Sequence, residues 1–437
     1  MTIPSLQGLQ TALSGLLADQ QALDVAGHNI ANANTEGYSR ETVALQTNQP
    51  ITIPAISPLT GDGVQLGTGV GVAGYDRIRN SYLDAQYRGQ NATLSSASTL
   101  AEQLEQVQNA FAEPSSSGLS SRLSAFWSAW SSLAQTPSSL AAKEGVVNAA
   151  TQLVDGLHEL SGQIDTVATQ AGQQYEAIAG PAGEVRSYGE QIAQLNQQIK
   201  LAEQAHQQPN DLLDRRDELL DKLSSLAQVT VSKEADGTDT VSFGDAAEPL
   251  VQGATVNWPQ TLTTAAGGQL GALLGLTAAT GPLASYQSAL NEVAATLASS
   301  VNALHTATPF FSGTTAATIA VAVAPGEVQT SSGESAGGND VAQAVAGLRG
   351  GGADGAYAAL VERVGGDVRS AEGEQTSAQT MLGAVSDQRQ SVSGVSLDEE
   401  MTNLITFQRG YQACARTLTA MDSMLETLIE HTGVVGL

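Results

Sequence analysis

The side chains that most often do chemistry in proteins are few and scattered along this chain. The histidines are His28, His158, His206, His305 and His431, and the single cysteine is Cys414. None of these histidines stands at metal-ligand spacing from another histidine or from the cysteine. The sequence also lacks a G-x-S-x-G elbow, a Walker-type phosphate loop and an H-E-x-x-H pair. We therefore expect no enzyme, no metal and no cofactor; an enzyme whose triad assembles from distant positions is the alternative, for which the sequence offers no support.

One glycine-rich stretch imitates a nucleotide-binding motif. Residues 69–74 match G-x-G-x-x-G. A dinucleotide site needs a βαβ unit, with an acidic residue about 20 residues on at the end of the second strand. Here the next segment is predicted helical as far as Ala112, so no second strand follows. Residues 64–66 and 70–72, on either side of Gly67-Thr68-Gly69, predict a β-hairpin instead.

The elements with the clearest patterns lie at the ends of the chain. Residues 396–433 predict one long amphipathic helix, with Ser396 and Glu399 as a capping box and Gly433 as the stop. Its apolar residues recur at steps of mostly 3 and 4, which is the pattern of a coiled-coil seam. That seam comprises Leu397, Met401, Leu404, Phe407, Tyr411, Cys414, Leu418, Met421, Leu425 and Leu428.

A second seam lies near the N-terminus, and it comprises Leu6, Leu9, Leu13, Leu16, Leu23 and Ile30. Two seams at opposite ends predict that the ends pair. Burying one apolar side chain gains about 1.5–3 kcal/mol, and ordering one residue costs about 1–2 kcal/mol, so a lone helix pair roughly breaks even. We therefore expect loose ends in the monomer that order when neighbouring copies cover them. Periodicity is equally compatible with core helices of a closed globular domain.

Composition narrows the class of protein. The 437 residues are 41% hydrophobic but only 4% aromatic and 14% charged, which suits long helices packed on other helices. The net charge of −26 argues against nucleic acid and anionic membranes as partners. No apolar run approaches the ~18–20 residues of a membrane span. The N-terminus lacks the features of a cleaved signal peptide, and a lone cysteine excludes an intrachain disulfide.

These patterns predict a mainly α fold with a small inserted β-rich domain. Residues 1–45 and 396–437 would form the paired terminal coiled coil, and residues 46–227 and 275–395 a long helical-bundle body with short hairpins. Residues 228–274, with 308–338 as a candidate addition, would form a small β-rich outer domain, since alternating residues flank Asp236-Gly237. The charged run at 211–218 is interpreted as a solvated, salt-bridging helix face.

The two ends also carry a specific likeness. Residues 29–38, Asn-Ile-Ala-Asn-Ala-Asn-Thr-Glu-Gly-Tyr, resemble the N-terminal signature of bacterial flagellar axial proteins of the rod, hook and hook-associated groups. Position 36 is often proline there and is Glu here. Residues 398–413 resemble the partner helix of the same proteins. The signature turn comprises Asn29, Asn32, Asn34, Gly37, Tyr38, Ser39 and Arg40; its asparagines and glycine are typical of a helix stop.

Three blocks resemble the hook-associated members at the hook–filament junction. They are residues 38–40, residues 67–70 followed by Arg77, Tyr82, Leu83, Gln86 and Arg88, and residues 211–217 with the pattern D-L-L-D-x-R-D. A rod or hook protein, and a coiled-coil adaptor whose termini dimerise, are the alternatives.

The resemblance implies a structural role in the flagellum without a cofactor. The chain would form a homo-oligomeric ring, with its paired termini as the inner layer around the export channel. Its partners would be the hook protein, the next hook-associated protein on the filament side, and an export chaperone holding the C-terminal helix. It would be extracellular, exported unfolded without a cleaved signal peptide.

Overall fold

The computed structural model describes residues 4–53, 64–333 and 337–431. Long helices dominate this part of the chain and lie at both of its ends. The helices are α1 (Pro4–Asn32), α2 (Ser81–Phe111), α3 (Leu119–Gln135), α4 (Leu140–Ala179), α5 (Glu184–Gln204), α6 (Asn210–Leu226), α7 (Gly268–Thr277), α8 (Pro282–Leu304), α9 (Asp340–Ala346), α10 (Gly352–Ser393) and α11 (Leu397–His431).

The strands are short and lie between the helices. They are β1 (Glu41–Thr47), β2 (Ile51–Ile53), β3 (Val64–Leu66), β4 (Val70–Arg77), β5 (Val229–Lys233), β6 (Asp239–Phe243), β7 (Val251–Gln252), β8 (Thr255–Val256), β9 (Phe311–Ser312) and β10 (Ala320–Val321). The mainly α fold expected from the sequence is confirmed.

Helices α2 to α10 form the body around one apolar core. Helix α2 packs along α10, and α3 packs on α4, because each buries a stripe of apolar residues at helical spacing. The sequence places Trp127 and Trp130 on one face, and both are buried together with Phe126, Phe310 and Phe311. Their rings lie edge-on or tilted at centroid separations between 4.8 and 6.4 Å, the arrangement that aromatic quadrupoles favour.

The four-stranded sheet is antiparallel in the order β5-β6-β7-β8. Val241, Phe243 and Val251 point into the same core as the helices of the body. The strands of this sheet lie within residues 229–256, and the sheet shares its apolar core with the helices of the body. Strands β9 and β10, within the candidate segment 308–338, pair only with each other among the described strands.

A two-stranded ribbon lies between α1 and the body. Strand β1 pairs with β4, from Glu41 opposite Arg77 to Thr47 opposite Val70, and β2 pairs with β3 further out. The hairpin expected between residues 64–66 and 70–72 is therefore wrong. Gly69, at φ +101°, packs against α1, where an added Cβ would lie 3.3 Å from Thr11 Cα. The glycine thus lets the ribbon approach the helix, and each flanking strand pairs with an earlier one.

Candidate assembly interface

The two terminal helices pack against each other in antiparallel register. A Cβ added to Gly8 would lie 2.7 Å from Met421 Cε, and one added to Gly15 would lie 3.0 Å from Cys414 Sγ. Seven residues forward on α1 thus correspond to seven residues back on α11, which is the repeat of a coiled coil. The small residues on α1 let the helix backbones approach closely. The pairing of the chain ends expected from the sequence is present.

Most of the predicted seam residues are half-buried in this arrangement. They are Leu9, Leu16, Leu23, Ile30, Leu404, Phe407, Tyr411, Cys414, Leu418, Met421 and Leu425. The fully buried apolar positions of α1 are instead Ala12, Ala18, Ala22 and Ala26. Leucine spacing alone did not reveal this alanine face.

Four predicted seam residues are exposed in the single chain. Leu13, Leu397, Met401 and Leu428 are 43%, 49%, 58% and 54% exposed. Near the start of α11, the residue buried next to Met401 is the acidic Glu400, which is 2% exposed. The side chain of Leu6 and the predicted stop at Gly433 lie outside the described residues.

The β1–β4 ribbon adds a third layer to the helix pair. It lies along the side of α1 that faces the body, and Val70 N donates to Ser14 Oγ at 3.3 Å. Further down, Tyr75 N donates to Gln208 in the loop that precedes α6. The sequence predicts loose ends because a lone helix pair roughly breaks even, but the ribbon buries a second face of α1. We therefore expect the helix pair to be ordered in the single chain.

A charge on the seam should release α11 from α1. We expect Leu418→Asp to expose residues 397–431 to protease while the body stays resistant, since an unpaired carboxylate is costly to bury. The exposed Ala420→Asp on the same helix is the matched control and should stay protected. Limited proteolysis with mass spectrometry distinguishes the two. Equal protection of both variants would mean that this seam does not hold α11.

The signature turn is held by Asn29, which is 1% exposed. Its Nδ2 donates to Glu41 O at 2.9 Å and to Glu400 Oε2 at 3.2 Å. Its Oδ1 accepts from Tyr38 Oη at 2.8 Å and from Glu41 N at 2.9 Å. One amide therefore joins α1, the turn, β1 and α11.

The rest of the turn ends α1 and directs the chain into the ribbon. Helix α1 ends at Asn32, whose Oδ1 accepts from Thr35 Oγ1 at 3.2 Å. Gly37 takes the left-handed conformation at φ +79°, whereas Asn34 is exposed and has no positive φ. The glycine is therefore the residue whose backbone freedom the turn requires.

Ser39 connects the turn to α6 of the body, and the next residue, Arg40, connects it to α11. The backbone N and Oγ of Ser39 donate to the two carboxylate oxygens of Asp214, at 3.0 and 2.7 Å. Arg40 reaches α11, pairing with Glu399 and Glu400 at 2.8 Å each. Glu399 N also approaches Ser396 Oγ at 3.4 Å, so the expected cap forms on that side while the Glu399 carboxylate binds Arg40.

Only one side of the charged run at 211–218 is the solvated, salt-bridging face that the sequence predicts, and there Arg215 and Lys222 pair with Glu218. Asp214 and Arg216 are 7% and 4% exposed. Asp214, Asp217 and Asp221 occur at steps of 3 and 4, so they share one face of α6. This second face is not solvated, because it is buried against arginines supplied by β4, α2 and α10.

These groups form what we call the neck network, made of four arginines and four aspartates. They are Arg77, Arg79, Arg88, Arg389, Asp84, Asp214, Asp217 and Asp221. Arg77 Nη2 lies 2.6 Å from Asp217 Oδ2, Arg79 Nη1 lies 3.3 Å from the same oxygen, and Arg88 Nη2 lies 3.0 Å from Asp217 Oδ1. The cluster is formally neutral, which makes its burial tolerable.

Burial and the arginines act in opposite directions on the aspartates of the network. Burial alone would raise the pKa of Asp217, but Arg79, Arg77 and Arg88 hold that pKa well below its usual range. Burial raises the pKa of Asp214 above its ordinary value, and Arg77 and Ser39 offset part of that rise. The arginines therefore outweigh the effect of burial on the pKa of Asp217 but not on the pKa of Asp214.

Two of the side chains whose types could do chemistry, His305 and Cys414, are engaged by neighbouring groups. Both ring nitrogens of buried His305 contact backbone, Nδ1 lying 2.5 Å from Thr308 O and Nε2 accepting from Gln329 N at 2.8 Å. Burial and the neighbouring Asp19 carboxylate raise the pKa of the Cys414 thiol, so the thiol stays protonated. Within the described ranges no group of side chains could hold a metal ion, and no helix is apolar over enough residues to span a membrane.

Known protein families match the two ends of the chain and its body separately. The model "Flagella basal body rod protein" matches residues 9–38, and "Flagellar basal body rod FlgEFG protein C-terminal" matches residues 386–430. These are the segments that form the terminal helices, the turn and part of α10. "Flagellar hook-associated protein FlgK helical domain" matches residues 104–264, within the body.

The curated relatives described below share the name "Flagellar hook-associated protein 1". "Flagellar hook-associated protein 1" of Bacillus subtilis is 28% identical, and the alignment covers 99% of both chains. Its namesake in Salmonella typhimurium is 33% identical over 56% of this chain and 42% of its own length. The Escherichia coli protein is 29% identical over 56% of this chain and 43% of its own. The chain thus spans the Bacillus relative and less than half of the two enterobacterial ones.

Among solved structures, the flagellar hook junction protein FlgK from Burkholderia pseudomallei is 26% identical, with a TM-score of 0.45 over 51% of this chain and 43% of that one. The paired terminal helices and the matched models define an axial structural protein of the bacterial flagellum. Within that class, the helical-domain model and the curated relatives both point to the hook-associated proteins. Both liken this chain to flagellar hook-associated protein 1, over its whole length in the case of the Bacillus subtilis protein.

Proposed function

We propose that the chain builds the hook–filament junction by polymerising through its terminal helices. The supporting observation is the location of the exposed apolar side chains. Of the 16 exposed large apolar side chains among the described residues, eight lie on α1 and α11. Contiguous exposed apolar surface marks interaction sites, so these helices are the part of the chain best suited to contact other copies.

The outer faces of the helix pair carry this surface. Leu13 and Leu17 lie on α1, and Met401 and Ile405 lie one turn apart on α11. The inner faces already contact each other, so only the outer faces are open to a neighbour. A ring needs a heterologous contact, in which one face of a copy meets a different face of the next. The outer faces of α1 and α11 supply two such faces.

The remaining chain would surround this inner layer. We propose two units: the terminal helices with the ribbon, and the helical body that includes the four-stranded sheet. The net charge of −26 would help to keep unassembled monomers apart. The role is structural instead of catalytic.

The same proposal extends to partners and export. The ring would contact the hook protein on one side and the next hook-associated protein on the other. An export chaperone would hold α11 beforehand, since α11 has exposed apolar side chains that need a cover. The chain would reach the extracellular flagellum without loss of a signal peptide.

Immunogold electron microscopy tests this position. With an antibody against the body, gold should lie in a single cluster where the hook meets the filament. Gold along the whole hook, or at the rod, would contradict a junction role. A strain without the gene, labelled in parallel, controls for non-specific gold.

A further inference from the structure

The chain passes twice between the body and the unit formed by the terminal helices and the ribbon. The first crossing is residues 78–80, between β4 and α2, and the second is residues 394–396, between α10 and α11. The signature turn lies between the two crossings, because Ile78 N donates to Arg40 O at 2.9 Å and Arg40 N donates to Ser393 O at 3.0 Å. We call the turn and the two crossings together the neck. Two crossings bridged by one residue are geometrically able to act as a hinge.

Apolar packing does not hold the neck. The buried apolar cluster of the body includes residues from Ala101 to Ala371 only, and none of its members comes from α1, the turn or α11. Units of one chain move relative to each other unless a large hydrophobic interface prevents it. Whatever fixes the direction of the helix pair must therefore be polar.

The neck network meets this requirement. Ser39, in the signature turn, is held by Asp214 through two hydrogen bonds and receives a third at 3.2 Å from Nη1 of Arg79, which lies in the first crossing. Arg389 lies four residues before the end of α10, next to the second crossing. Its guanidinium pairs with Asp84 at 2.8 Å and with Asp221 at 2.7 Å. Both crossings are thus tied to α6 and α2.

The contacts in the neck network fix the relative orientation of the groups that they join. Apolar contacts are non-directional, whereas planar guanidinium and carboxylate groups fix their relative orientation. Buried ion pairs add little net stability compared with apolar packing, and their best-attested use is to specify one arrangement. Four arginines gathered here are a large share of the 18 basic residues in the chain.

We propose that the neck network is the joint that fixes the direction of the terminal helix pair relative to the body, with Ser39 and Asp214 as its positioning residues. This goes beyond the polymerisation proposal and does not depend on it, because it concerns the isolated chain. It also gives a role to the D-L-L-D-R-R-D segment.

Distances between two spin labels test the joint. Labels at Gln20→Cys on α1 and Gln198→Cys on α5, both at exposed positions, span the neck in a Cys414→Ala background. We expect a narrow distance distribution that about doubles in width or shifts in Ser39→Ala and in Asp214→Asn, as for domains free to move. Labels at Gln10 and Gln412 report on the helix pair itself and should be unaffected.

The matched control is Asp239→Asn. Asp239 pairs with Arg216 at 3.0 Å on the same helix α6, and both residues are buried, but neither contacts the turn. This variant should be destabilised while the distance across the neck stays narrow. An unchanged distribution in both Ser39→Ala and Asp214→Asn, or equal broadening in Asp239→Asn, would overturn the proposal. Ser39→Ala keeps every ion pair, so it remains informative if Asp214→Asn fails to fold.

Discussion

Asp217→Asn should lower the free energy of unfolding by about 3–5 kcal/mol, the usual cost of removing one partner from a buried charge cluster. The variant leaves Arg77, Arg79 and Arg88 without the carboxylate that all three contact. The cost is large because the otherwise neutral network is then left with one uncompensated positive charge away from water.

Urea unfolding followed by tryptophan fluorescence measures this loss, since Trp127 and Trp130 are buried in the core of the body. The matched control is Glu190→Gln, which removes a half-exposed pair with Arg186 and should change stability by about 0.5 kcal/mol or less. A loss below about 1 kcal/mol in Asp217→Asn would mean that water screens the network.

Ile405→Asp should abolish incorporation into the flagellum while leaving the monomer folded. Ile405 is 47% exposed on the outer face of α11, so the charge remains in water in the isolated chain. In the assembled ring the same carboxylate would be buried against a neighbour. A burial penalty of a few kcal/mol corresponds to a loss of assembly on the order of 100-fold.

The experiment is complementation of a strain that lacks the gene, with filaments counted by electron microscopy. Met381→Asp is the matched control: Met381 is 57% exposed, but it lies on α10 in the body. This control should restore filaments as the unaltered gene does. Normal filament numbers with Ile405→Asp would show that the outer face of α11 is not an assembly surface.

The sequence predicted the terminal pair because leucines at heptad spacing are visible without a structure. It did not reveal the register, which depends on Gly8 and Gly15 opposite Met421 and Cys414. Small residues leave no hydrophobic signal, although their close packing decides how near two helices approach. Periodicity also does not record which side of a helix meets its partner, so it did not indicate that Met401 would be exposed in the single chain.

The neck network was missed for a different reason. Arg77 and Asp217 are 140 residues apart in sequence, and only the fold brings them together. A charged helix face is usually solvated, so the interpretation of residues 211–218 followed the common case. One signal was available: Asp214, Asp217 and Asp221 stand at steps of 3 and 4 on one face of α6, with few lysines to balance them.

A chain that joins the filament to the hook can be recognised by what its loss leaves behind. Electron microscopy of cells that lack the gene, with flagellin measured in the medium, shows this. We expect complete hooks without filaments and flagellin lost to the medium. Missing or shortened hooks would instead place the chain in the rod or hook, and normal flagella would mean that the chain has no such role.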